Sequence, residues 1–86
     1  MNQIVIDVRE PEEYRAEHVA GAVNMPSSDY LNTEKRLRDV PKDATIIVYC
    51  QSGSRAEAAR SMMQGWGYAN VINGINQTSV ELKYGL

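Results

Sequence analysis

The 86-residue sequence has no phenylalanine and only one cysteine, one histidine and one tryptophan. A single thiol makes an intrachain disulfide impossible, and a four-cysteine or mixed cysteine–histidine zinc site has too few ligands. That thiol is therefore either a buried spectator or a reactive group. No apolar run approaches the roughly 20 residues that span a bilayer. Ile4-Val5-Ile6 is also far too short for the apolar segment of a secretory leader, about 7–15 residues. The expectation is a cytoplasmic chain without membrane contact, or a periplasmic one if a leader has been removed. A basic stripe is missing as well. Nine basic residues face eleven acidic ones, for a net charge of −2, and no nucleic-acid partner is expected. Lys35, Arg36 and Arg38 surround Leu37 and read as the wet face of a helix.

The length fits one domain over residues 1–86, with no room for a second core, and a monomer is expected. A chain this size buries only about 60–65% of its unfolded surface, so its stability margin is thin. The apolar share, 43%, is ordinary for a globular protein and does not suggest disorder.

Ile4-Val5-Ile6 ends at Asp7 and predicts a buried strand. Pro11 suits a first helical turn, with Glu12 and Glu13 at the positive end of the helix dipole, and this helix is expected to stop near Ala16 or Glu17. Ala22-Val23-Asn24 predicts a very short strand. Ser27 or Ser28 is expected to cap a helix whose buried stripe is Leu31, Leu37 and Val40. After the turn signal Pro41-Lys42-Asp43, Thr45-Ile46-Ile47-Val48-Tyr49 gives the strongest strand signal in the chain. Its near-continuous apolar character predicts a central parallel strand covered on both faces. A helix is predicted over 55–64, burying Ala59, Met62 and Met63, with Gly65 and Gly67 as stop signals and Trp66 in the core. Ala69 to Ile72 predicts a last short strand, and a weak helix follows Thr78. This alternation predicts an α/β domain: three layers, with a small, mainly parallel sheet flanked by helices on both faces. Ligands of such sheets bind at the carboxyl ends of the strands, where Asp7 and Cys50 stand.

Residues 50–55 read Cys-Gln-Ser-Gly-Ser-Arg between the best strand and the best helix. A strand–loop–helix junction of small residues can turn its backbone N–H groups around an anion. Gly53 supplies the tight curl, Ser52 and Ser54 are small and offer hydroxyls, and Arg55 adds a permanent charge with a planar fork of donors. A thiol within such a bowl is pushed toward thiolate. Cys50 is thus the candidate nucleophile, and Gln51, Ser52, Gly53, Ser54 and Arg55 are the candidate substrate-binding residues. The chemistry needs no metal and no cofactor. The alternative is a small buried hydrophobe, the commonest fate of a free cysteine.

Four stretches carry a resemblance to one family. Residues 6–14 (Ile-Asp-Val-Arg-Glu-Pro-Glu-Glu-Tyr), 17–26 (Glu-His-Val-Ala-Gly-Ala-Val-Asn-Met-Pro) and 48–55 (Val-Tyr-Cys-Gln-Ser-Gly-Ser-Arg), with Gly67-Tyr68 and Asn70-Val71, resemble the motifs of rhodanese domains in their order. The likeness spans residues 4–72 and is greatest to the small stand-alone members. It implies that the Cys50 thiolate takes the outer sulfur of a small anionic donor such as thiosulfate. Cyanide or a thiol acceptor then removes it, regenerating the enzyme. Backbone N–H groups of residues 51–55 and the Arg55 charge are implied to steady the anion. The sequence departs from the pattern at Ala20, where proline is usual, at Glu17, where glycine is usual, and at Asn73-Gly74-Ile75-Asn76, where a Gly-Gly pair is expected.

The neighbouring residues have plainer readings. Asp7 and Arg9 are expected to hold adjacent loops by ion pairs or hydrogen bonds, rather than to meet substrate. The resemblance gives His18 a structural role, against a catalytic pairing with Cys50. Glu17 is expected at the surface, and the five tyrosines show no stacking pattern. Two rival functions remain. One is a cysteine phosphatase or arsenate reductase, but tyrosine-phosphatase loops place five residues between cysteine and arginine, whereas Cys50 and Arg55 have four between them, which makes a bowl sized for one sulfur. A non-catalytic module that binds a partner, or a persulfide relay to a protein acceptor, is the other; the presence of Cys50 favours activity.

Overall fold

Along the central strands, odd and even residues serve two different cores. Ile6, Ile46, Val48 and Cys50 join Met25, Leu37, Ala56, Ala59, Met63, Tyr68 and Val71 on one face. Val5, Ile47 and Tyr49 join Val19, Ala22 and Val80 on the other, with Tyr14 and Tyr84 packed against them. A strand covered on both sides needs apolar residues at every position, which explains the unbroken run at 45–50.

The computed structural model describes residues 3–86. In chain order these form β1 (Gln3–Asp7), α1 (Pro11–Ala16), β2 (Val23–Asn24), a 3-10 turn (Ser27–Asp29) and α2 (Tyr30–Arg36). Then come β3 (Thr45–Cys50), α3 (Ser54–Gly65), β4 (Asn70–Asn76) and α4 (Gln77–Tyr84). The sheet order is β2-β1-β3-β4, and every pairing is parallel. The predicted three-layer α/β architecture is present, with α2 and α3 over the even face and α1 and α4 over the odd one.

The structure departs from the sequence reading in several elements. Leu31 is 63% exposed, and α2 buries Thr33 with Leu37 just beyond its end. Leu31 and Leu37 stand about 120° apart around a helix, whereas Thr33 lies one turn before Leu37. Neither Ser27 nor Ser28 caps α2; the Ser28 hydroxyl donates to Glu10 Oε2 instead. Ala56, Ala59 and Met63 form the buried face of α3, leaving Met62 half-buried and Trp66 at the edge of the core.

β4 runs four residues past its expected end. Its register against β3 slips between Val48 and Tyr49, so that Val48 faces Asn73 and Tyr49 faces Ile75, with Gly74 as the extra residue. A Cβ on Gly74 would stand 2.6 Å from Val80 Cγ2 and 3.1 Å from Ile47 Cγ2. The missing side chain is what lets α4 lie against the sheet. α4 begins at once after β4, because Asn76 Oδ1 accepts from the Ser79 N–H at 2.8 Å and caps it.

Candidate active site

β3 ends at Cys50 on the even face, so its side chain points toward α3. The chain then turns through Gly53, whose φ of 97° is a left-handed value that glycine adopts without a Cβ penalty. Gly53 is the N-cap of α3 and offers no side chain to the orphan N–H groups of the first turn. The Cys50 sulfur takes that place. Its Sγ accepts from Gly53 N at 3.1 Å and from Ala56 N at 3.4 Å, and the residue is only 1% exposed. Burial pushes the thiol up, but the N–H groups of Ala56, Gly53, Ser52 and Arg55 outweigh it and hold its pKa below the ordinary thiol value. Ala56 lies outside the segment 51–55 that the sequence singled out. Its signal was its place three residues into a helix whose cap is a glycine.

The loop residues divide by position. Gln51, Ser52 and Ser54 are exposed, Gly53 is buried and Arg55 is half-buried. The Ser52 and Ser54 hydroxyls lie 3.5 Å apart. Arg55 does not extend as a free charge. Its Nη1 and Nη2 donate to Glu13 Oε1 and Oε2 at 2.7 and 3.1 Å, tying α3 to α1. Glu13 Oε1 also accepts from Glu10 N, completing the cap of α1. The Arg55 guanidinium lowers the Glu13 carboxyl from 4.5 to about 2. Glu13, which the sequence reads only as a helix-start residue, is thereby joined to the loop.

The segment at 73–76 braces the loop from the other side. Asn73 Nδ2 donates to Gly53 O at 3.0 Å and to Glu57 Oε1 at 3.2 Å, while its Oδ1 accepts from Ile75 N at 2.9 Å. Ile75 has a φ of 74°, a left-handed value in a β-branched residue. Its Cγ2 lies 3.5 Å from where a Cβ on Gly53 would be. Where the family's Gly-Gly pair is expected, this chain keeps one glycine-like backbone angle and fills it with an aliphatic side chain.

Asp7, Arg9 and His18 serve the frame. Buried Asp7 accepts from Arg9 N and Nε at 2.9 Å and from the Tyr49 hydroxyl at 3.1 Å, and that hydroxyl accepts from Val19 N. Burial pushes the Tyr49 phenol up to about 12, so it stays a donor. Arg9 Nη2 reaches on to Glu17 O at 2.6 Å. The His18 Nδ1 pairs with Tyr14 O at 2.7 Å, and its ring stacks on Tyr14 at 3.7 Å, a stacking that the sequence did not suggest. Among the described residues no group of three or more His, Cys, Asp or Glu is placed to hold a metal ion. None of their helices is long and apolar enough to cross a membrane.

The class present here is a parallel α/β domain in which backbone N–H groups converge on a buried cysteine sulfur at the start of the helix behind its central strand. The chain belongs to the rhodanese-like domain family, whose model matches residues 1–76. It is similar to the thiosulfate sulfurtransferase PspE of Escherichia coli, at 41% identity over 69 residues, covering 79% of this chain and 64% of the relative. The thiosulfate:glutathione sulfurtransferase of Saccharomyces cerevisiae is 34% identical over 80 residues, covering 80% of this chain and 57% of the relative. The chain thus spans less than two thirds of the length of these relatives. A rhodanese from E. coli solved with anions superposes with a TM-score of 0.79 at 35% identity, covering 90% of this chain and 89% of the other.

Proposed function

We propose that this domain is a sulfurtransferase that carries sulfane sulfur on Cys50, from a small anionic donor such as thiosulfate to cyanide or a thiol. The observation that carries the reading is the convergence of backbone N–H groups on a buried sulfur held below its ordinary pKa. In the first half-reaction the Cys50 thiolate attacks the outer sulfur of thiosulfate. A new S–S bond forms, the donor's S–S bond breaks, and its electron pair leaves with sulfite. The negative charge now rests on the outer sulfur of the persulfide, within reach of the amides that held the thiolate. In the second half-reaction cyanide or a thiolate attacks that sulfur and restores the Cys50 thiolate. The names of the two relatives support thiosulfate as a donor and a small thiol as an acceptor.

Phosphatase chemistry fits less well. Tyrosine-phosphatase loops place five residues between cysteine and arginine, whereas Cys50 and Arg55 have four between them, a tighter bowl than a tetrahedral oxyanion suits.

Thiosulfate plus cyanide is expected to give thiocyanate, and Cys50→Ser to abolish it. Intact protein treated with thiosulfate should gain one sulfur, ~32 Da, which dithiothreitol removes. Turnover retained in the serine variant refutes the role of Cys50. An unchanged mass supports a non-catalytic, partner-binding module instead.

A further inference from the structure

Thiosulfate is a dianion, yet the charges beside the Cys50 loop are paired off. Arg55 is the only charged residue in the loop, and its charge is felt at Cys50. Both its terminal nitrogens are on the Glu13 carboxylate. Of the other arginines, Arg9 is paired with Asp7 at 2.7 Å and Arg60 with Glu57 at 2.9 Å, while Arg36, two strands away from Cys50, is turned onto the Asn24 carbonyl at the end of β2. The attraction left for an anion comes from backbone amides, which are short-range dipoles. They grip a bound sulfur without rewarding a second negative charge at the mouth.

We propose that Glu13 is a specificity-determining residue, which cancels Arg55 and so biases the site against dianionic donors, toward sulfane donors bearing one negative charge or none. This rests on the sulfurtransferase reading and names its donor class. Glu13 stays ionised far below neutral pH, so the cancellation does not vary over the working range.

The test compares two donors of matched chemistry. Methanethiosulfonate offers the same outer sulfur as thiosulfate and releases methanesulfinate, but carries one charge fewer. Glu13→Gln keeps an acceptor for Glu10 N and for Arg55 while removing the charge. The thiosulfate-to-methanethiosulfonate ratio of kcat/KM is expected to rise about three- to tenfold in the variant, the scale of one unit-charge interaction in partly screened surroundings. The change should fall on KM for thiosulfate, leave kcat alone, and shrink as salt is raised. Arg55→Gln, which leaves Glu13 uncompensated, should move the ratio the other way. An unchanged ratio overturns the proposal. So does a rise in KM for both donors in Glu13→Gln, since Glu13 then serves to hold Arg55 in a binding posture. If the wild-type protein takes sulfur from neither donor, the sulfurtransferase reading itself falls.

Discussion

At Ile75 an aliphatic, β-branched side chain sits on a backbone φ of 74° while 47% exposed. A non-glycine residue held in this region costs about 1–3 kcal/mol, and such positions persist where surrounding bonds determine them. Here the determinants are Asn73, which bonds Ile75 N and Gly53 O together, and the bulge at Gly74. Asparagine tolerates the left-handed region far better than isoleucine. Ile75→Asn is therefore expected to raise the melting temperature, a gain of about 1 kcal/mol corresponding to about 4–8 °C in a domain of this size. A lower Tm by calorimetry would mean that the packing of Ile75 on Gly53 outweighs the backbone strain.

Between elements, the Arg55–Glu13 pair joins the first turn of α3 to α1, which buries no residue fully and is otherwise held by Tyr14, packed on the odd-face core with its hydroxyl on Ala22 O. The sign of its pH dependence follows from the lowered Glu13 carboxyl. Its stabilisation is complete above the ordinary value of 4.5 and is lost as pH falls toward about 2. Tm measured against pH should fall over that window in the wild-type protein and less steeply in Glu13→Gln; parallel curves would remove the pair from the acid limb. The same elements show what a sequence can convey. Thr45–Cys50 and the helix behind it were legible because β-branched runs and alanine spacing are local signals. The length of β4 was not, since it depends on Gly74 admitting Val80 from α4. Leu31 misled because hydrophobicity, without its angle around the helix, does not assign a face.

For the molecule as a whole, the parallel α/β class followed from the alternation of elements, and the strand ends correctly located the cysteine. What the sequence could not convey was which charges meet. Arg55 and Glu13 are 42 positions apart, and only the β3–α3 turn and the β1–α1 turn, side by side in the sheet, bring them into contact. The fold also gathers its reactivity into one atom. This chain has no second thiol. If peroxide converts Cys50 to a sulfenic acid, no neighbour in the chain can trap it as a disulfide, and further oxidation to the sulfinic acid is irreversible by ordinary thiols. Peroxide given alone is expected to inactivate the protein with a mass gain that dithiothreitol does not reverse, whereas glutathione present throughout should preserve activity. Recovery of activity with dithiothreitol after peroxide alone would contradict this. A protein with a solitary thiol borrows its protection against oxidants from the thiols dissolved around it.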